Sequence, residues 1–165
     1  MRLHRLKTGR KGFLKVLAGV VVVFCIGFAV YSFVAWRQSI PPPLSQDITS
    51  SVYYQIYQPS QMPRGYHLKP DSVTSHNGLV IYKLISGKNT ITVTQQAAPH
   101  TSIDLSKLEG YTSLNVPIGR AASGQSVGNP SAIIITDSTL INITSSKGVT
   151  KQEVTDIAQK MKAAE

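Results

Sequence analysis

The chain has 165 residues, a net charge of +9 at pH 7 and a single cysteine. The charge is uneven, since residues 1–40 carry seven basic residues and no acid, whereas residues 41–165 carry ten basic and eight acidic residues. The nearly neutral C-terminal part lacks the broad basic footprint of a nucleic-acid-binding domain, and one cysteine excludes a disulfide framework.

Residues 16–36 form an uncharged stretch, VLAGVVVVFCIGFAVYSFVAW. A helix of this length spans roughly 30 Å, which is the thickness of the hydrocarbon layer of a bilayer. A buried core helix is the alternative, but such a helix normally carries a polar stripe, and this stretch has none. We therefore predict a transmembrane helix over residues 16–36.

The flanks of this stretch predict its orientation. Residues 1–15 form a basic arm with six cations and no acid, and only Arg37 lies close to the other end. This asymmetry predicts a cytoplasmic N-terminus and an extracytoplasmic C-terminal part. The arm also suits the anionic lipid of the inner leaflet, which explains its charge without a nucleic-acid partner.

Two processed classes of protein fit the N-terminus less well. The apolar stretch is longer than a signal-peptide core, and cleavage after Ala35 would leave Phe33 where a small residue is needed. The segment Lys11-Gly12-Phe13 is similar to a type IV pilin processing site, but Leu17 stands where those proteins carry Glu. We therefore expect an uncleaved signal anchor.

Residues 37–51 are predicted to be a stalk and linker, because Pro41, Pro42 and Pro43 favour a stiff polyproline II segment. Residues 52–165 are predicted to form the extracytoplasmic domain. Its expected strands cover residues 52–57, 66–69, 79–85, 90–95, 111–116, 120–123, 132–136 and 139–144, with one helical turn within residues 103–108.

The most regular pattern lies in the hairpin of residues 79–95. Ile91 and Val93 alternate with Thr90, Thr92 and Thr94, which is typical of a sheet with one buried and one wetted face. In the last hairpin, we expect Ile133, Ile135, Ile141 and Ile143 to share one core face.

A helix is predicted to close the domain. Thr150 and Glu153 have the spacing of a capping box. An apolar stripe of Val154, Ile157, Ala158 and Met161 follows at helical spacing. The expected class is therefore α+β: an N-terminal transmembrane helix, then an antiparallel sheet with a C-terminal helix packed on one face.

Several segments resemble a bacterial family of domains of unknown function. They are Tyr57-Gln58-Pro59 with Met62-Pro63-Arg64-Gly65-Tyr66, the strand of residues 91–96, the turn of residues 116–120 and the helix of residues 149–158. The resemblance covers roughly residues 52–162. It implies the outer domain of a single-pass membrane protein, in some members anti-sigma-factor-like, and supplies no catalytic residues. The arm of residues 1–15 is too short for a folded cytoplasmic domain, so we expect no direct anti-sigma role.

Catalytic patterns are weak. Residues 124–128, Gly-Gln-Ser-Val-Gly, match the G-x-S-x-G nucleophile elbow, but no helix is predicted after Ser126 and no histidine follows it in the chain. His4, His67, His76 and His100 lack the spacing of metal ligands. Asn142-Ile143-Thr144 is a glycosylation sequon, within a predicted strand. We therefore expect no enzyme activity, no catalytic residues, no metal and no cofactor.

Two functions remain open on the sequence. The first is a membrane-anchored extracytoplasmic interaction module, with membrane lipid and an envelope protein as partners. The second is a carrier or sensor of a lipid or another apolar ligand held between sheet and helix. A closed core favours the module, and a large apolar cavity favours the carrier.

Overall fold

The structure, a computed structural model, describes residues 21, 24–32, 42, 44–101 and 103–164. The chain divides into two compact units, Met1–Gln38 and Ser39–Glu165. In the first unit, residues 24–32 are helical and exposed. Within the described ranges, no helix combines the length and the hydropathy that crossing a membrane requires. The basic arm, the pilin-like segment and half of the span predicted over residues 16–36 lie outside the described residues.

The second unit is an α+β fold dominated by antiparallel sheet, as predicted. The strands are β1 (Tyr57–Pro59), β2 (His67–His76), β3 (Leu79–Ser86), β4 (Asn89–Ala97), β5 (Thr112–Val116), β6 (Gly119–Ser126), β7 (Asn129–Ile135), β8 (Thr139–Ser145) and β9 (Met161–Ala163). Strands β2 to β8 form one seven-stranded sheet in the order β2-β3-β4-β8-β7-β6-β5, and β1 pairs with β9. A short helix (Gln46–Thr49), a 3-10 turn (Leu105–Lys107) and a C-terminal helix (Lys151–Gln159) complete the unit.

The C-terminal helix begins as predicted. The Thr150 hydroxyl accepts the Glu153 N–H at 3.2 Å, and the Glu153 carboxylate accepts the Thr150 N–H at 2.7 Å. The helix packs on the sheet through buried Val154, Ile157 and Ala158. Its predicted extension to Met161 is wrong: the helix ends at Gln159, and Met161 is a buried residue of β9, paired with Pro59.

The first predicted strand is also displaced. Residues 52–56 are not a strand, and β1 covers Tyr57–Pro59. Tyr54 instead turns inward, with its hydroxyl 2.8 Å from the Gln95 carbonyl and 3.0 Å from the Gly78 carbonyl. The fully buried Gln95 side chain then holds β1, since it accepts the Tyr57 N–H at 2.8 Å and donates to the Tyr57 carbonyl at 2.7 Å.

The alternation predicted for β4 is confirmed. Ile91 and Val93 are fully buried, while Thr90, Thr92 and Thr94 are half-buried on the opposite face. Tyr82 of β3 lies on the same face as Ile91 and Val93, and its hydroxyl donates to the Tyr57 carbonyl at 3.1 Å. Burial raises the pKa of Tyr82 far above its usual range. This face is the core of the domain.

The prediction that four isoleucines share one core face is wrong. Ile134 pairs with Ile141, and Ala132 pairs with Ile143, so these residues line the main core. Partners in antiparallel strands share a face, which puts Ile133 and Ile135 on the opposite side. There they pack with Leu105, Leu108 and Leu140 in a second, smaller cluster under the 3-10 turn.

Candidate binding site at the open edge of the sheet

The two edge strands of the seven-stranded sheet, β2 and β5, differ in how well they are protected against pairing with another strand. Strand β2 continues past its predicted end at Lys69 to His76, and its register shifts between Lys69 and Thr74. A bulge, a proline and charged Lys69 and Asp71 are the usual features that prevent an edge from pairing with another chain. Strand β5 (Thr-Ser-Leu-Asn-Val) has no charge, no proline and an unbroken register with β6.

The free edge of β5 presents unpaired backbone groups. A two-residue turn joins Val116 to Gly119, so the hydrogen-bonded pairs of this hairpin are Val116–Gly119, Leu114–Ala121 and Thr112–Ser123. The N–H and C=O groups of Ser113 and Asn115 therefore point away from β6. Among the residues that the structure describes, no further strand pairs with β5 and no other backbone group bonds Ser113 or Asn115. This edge can accept one more strand.

A cavity of about 580 Å³ lies beside the open edge. Its lining includes Ser113 and Asn115 of β5, Arg120 of β6, and Asp104, Ser106 and Tyr111 of the connection that crosses the sheet. Ser113 and Asn115 share one face of β5, because they are two residues apart. A strand added to β5 would place every second side chain over this cavity.

Both signs of charge line the cavity. The Ser106 hydroxyl and N–H donate to Asp104 at 2.6 and 3.1 Å, and these bonds lower the pKa of the Asp104 carboxyl. Asp104 is therefore a carboxylate near neutral pH, with Lys107 3.6 Å away on its exposed side. Arg120 supplies a guanidinium to the same cavity. Such a lining suits polar or charged side chains.

Tyr111 fixes one wall of the cavity. Its hydroxyl and that of Ser131 lie 2.6 Å apart, which ties the connection to the sheet. The close approach requires glycine at position 124: a Cβ there would lie 2.6 Å from the Gly110 carbonyl oxygen and 2.7 Å from the Tyr111 ring. The first glycine of the G-x-S-x-G match thus has a packing role.

The rest of the G-x-S-x-G match is also structural in character. Ser126 is half-buried at the end of β6, opposite Asn129, and Gly128 adopts φ +76° in the turn to β7. A strand follows this serine, whereas a nucleophile elbow leads into a helix. The prediction that the motif is a loop between strands is therefore only partly right: residues 124–126 belong to β6, and only Val127 and Gly128 form the turn to β7.

A second cavity, of about 440 Å³, lies between the end of β4, the turn from β7 to β8 and the residues that precede β1. Tyr53, His100, Asp137 and Ser138 line it. Tyr53 is 88% exposed and meets Tyr54 edge-on at 6.0 Å. The partners of Tyr54 are backbone carbonyls of the fold, so its role is to anchor the incoming chain.

No group of three His, Cys, Asp or Glu side chains that could hold a metal ion occurs in the described part of the chain. His67 and His76 lie at opposite ends of β2, and His100 lies in the loop after β4. His4 is outside the described residues. The open edge was missed by sequence reasoning, because no local pattern reveals which strand is last in a sheet.

No family model, curated protein or solved structure matches this chain. The family resemblance of residues 52–162 therefore stays a prediction, and the geometry of the open edge is the best guide to function.

Proposed function

We propose that this protein is a single-pass membrane protein whose extracytoplasmic domain acts by binding, without turnover. In this proposal an extended segment of an envelope protein adds to the sheet along β5. The observation that carries the binding role is the uncharged, unbulged β5 edge with Ser113 and Asn115 facing outward beside a cavity. Strand addition is a common mode of peptide recognition, in which backbone bonds give affinity and side-chain pockets give specificity.

The membrane anchor is supported by the sequence of the first unit. Six cations and no acid precede the uncharged residues 16–36, and Arg37 is the one cation close to the far side. A protease added to intact spheroplasts should remove the region after Arg37 and spare the N-terminus. Protection of the outer domain would contradict this topology.

The packing of the core supports an interaction module over a carrier of apolar ligands. The helix and the sheet bury fully inaccessible side chains in one common core: Ile157 from the helix, and Ile134, Ile141 and Ile143 from the sheet. The two cavities described above lie at the surface, and both have polar side chains in their lining. In the part of the chain that the structure describes, these side chains pack between the helix and the sheet, which favours the interaction module.

The edge proposal is tested by removing one backbone N–H. The full chain in detergent is used to select binders from a library of random extended peptides. Ser113→Pro removes the outward N–H of residue 113, whereas Ser113→Ala keeps it. Since this N–H does not bond β6, both variants should fold, which circular dichroism verifies.

We expect selected peptides to bind the original chain and Ser113→Ala equally, and Ser113→Pro at least tenfold more weakly, which is the loss of about 1.4 kcal/mol. Hydrogen exchange at the Ser113 and Asn115 amides should slow on binding. Enriched peptides that bind Ser113→Pro as well as Ser113→Ala would rule out strand addition at β5.

A further inference from the structure

Two hairpin turns and two connections lie together at one end of the sheet. Ser86 pairs with Asn89, and the Asn89 side chain lies 3.5 Å from the Gly148 carbonyl. Ser145 donates to the Pro130 carbonyl at 2.6 Å, which brings the turn at residues 127–128 alongside. A Cβ at Gly65 would lie 3.1 Å from Ser86 Oγ, so the turn before β2 is also at this end. We call these segments, residues 64–67, 86–89, 126–129 and 146–153, the basic end.

The basic end is named for its charge. It carries Arg64, Lys88, Lys147 and Lys151, all exposed, and one acid, Glu153. The Glu153 carboxylate is engaged in the cap of the helix, where it accepts the N–H and the hydroxyl of Thr150 at 2.7 and 2.8 Å. The four cations lie on three of these segments and outnumber the single carboxylate, so the basic end is a surface for an anionic partner.

An exposed apolar side chain lies among these cations. Val127 is 98% exposed at the tip of the β6–β7 hairpin and has a φ of +52°. A positive φ is strained for a β-branched residue, and such strain is concentrated at functional sites. An apolar tip gains nothing from a soluble polyanion or an acidic peptide backbone, but it gains from insertion among lipid tails.

The described residues that lead into the domain reach the sheet at its other end. Ser51 meets Ser75 at 2.6 Å, and Tyr54 bonds the Gly78 carbonyl, so the chain joins the sheet at the end opposite Val127. We propose that the basic end docks on an anionic lipid surface, with Arg64, Lys88, Lys147 and Lys151 at the phosphates and Val127 inserted between the headgroups. This contact is separate from the β5 edge and does not depend on a partner there.

The test places an environment-sensitive fluorophore at the tip. In the full chain carrying Cys25→Ser, Val127→Cys is labelled, and the protein is held in nanodiscs of phosphatidylcholine. Asn77→Cys is the matched control, because Asn77 occupies the same position of the same kind of turn at the opposite end, with φ +50°. Vesicles of phosphatidylglycerol with phosphatidylcholine, or of phosphatidylcholine alone, are then added.

We expect a blue shift for the label at 127 with anionic vesicles, and none at 77 or with phosphatidylcholine alone. Lys88→Gln with Lys147→Gln should raise the lipid concentration for half of the shift by about 30-fold, since each cation near an anionic surface contributes about fivefold. Lys107→Gln with Lys162→Gln removes the same charge outside the basic end. This control pair should change the lipid concentration for half of the shift by less than about twofold.

Three results would overturn the lipid assignment. One is the absence of a shift at 127, and another is an equal shift at 127 and 77. The third is an equal shift at 127 produced by soluble polyphosphate or polyglutamate, which would identify a soluble polyanion as the partner. Loss of peptide binding at β5 would leave all of these readings unchanged.

Discussion

Val127 occupies a turn position for which the same fold uses asparagine elsewhere. The turns at Asn77-Gly78 and Val127-Gly128 both have positive φ at their two central residues. Such turns favour Asn-Gly, because asparagine tolerates the left-handed conformation and a β-branched residue does not. Val127 therefore costs stability, and its exposed apolar side chain is consistent with a role in contact.

We predict that Val127→Asn stabilises the fold by about 1 kcal/mol while weakening the proposed lipid contact. Urea denaturation followed by circular dichroism measures the first effect, and vesicle flotation measures the second. The reverse change, Asn77→Val, serves as the control and should destabilise by a similar amount. Equal stability of both variants and the original chain would mean that the turn carries no strain.

The G-x-S-x-G segment offers a second test at the level of single residues. Gly124→Ala forces a methyl group against the backbone of Gly110 and the Tyr111 ring, and should destabilise by about 1–3 kcal/mol. Ser126→Ala should change neither stability nor any cellular phenotype, since the serine has no assigned chemistry. Labelling of Ser126 by a serine-reactive probe would reopen the hydrolase interpretation.

Gln95 shows which residue roles the sequence could not predict. The alternation of β4 places its side chain on the same face as Ile91 and Val93, so a polar residue on the buried face could be anticipated. Its hydrogen bonds to both backbone groups of Tyr57 could not be anticipated. They require β1 to lie beside β4, although Tyr57 and Gln95 are 38 residues apart in the chain. Nothing local to either segment encodes that meeting.

At the scale of single elements, the helix cap gives the clearest prediction. Both bonds of the capping box are present at Thr150 and Glu153. Thr150→Ala leaves the Glu153 N–H without its acceptor and should cost about 0.5–2 kcal/mol. Urea denaturation checks this value, and Thr155→Ala, within the same helix and away from the cap, is the matched control. A change near zero for Thr150→Ala would mean that the cap contributes nothing to the fold.

Elements with strong local signals were predicted well, and elements defined by distant partners were not. The β3–β4 hairpin, the 3-10 turn and the start of the helix follow from alternation, turn residues and capping. Strands β1 and β9 are three residues each and exist because they pair with each other across about 100 residues of chain. The register of β7 and β8 put Ile133 and Ile135 on the face opposite the main core, which local apolar content does not distinguish.

At the scale of the whole molecule, the candidate site depends on strand order. The composition of β5 was visible in the sequence, but its exposure follows from being last in the order β2-β3-β4-β8-β7-β6-β5. The basic end likewise joins residues far apart in the chain, because its cations come from three separate connections. The sequence predicted the class of the domain, while its surfaces required the topology.

The boundary of the second unit provides the last prediction. Residues 37–51 were expected to be a linker, yet Leu44 is only 6% exposed and belongs to the main core, with Ile48 and Val52 packed against it. Residues 41–165 should therefore fold alone as a soluble domain with a single cooperative urea transition. Residues 52–165 should be less stable by about 2–3 kcal/mol, because a buried leucine side chain contributes about that much.

Leu44→Ala within residues 41–165 should reproduce at least about 2 kcal/mol of the loss, while Gln46→Ala, on the exposed side of the same segment, should not. Equal stability of the two fragments would show that residues 41–51 serve only as a tether.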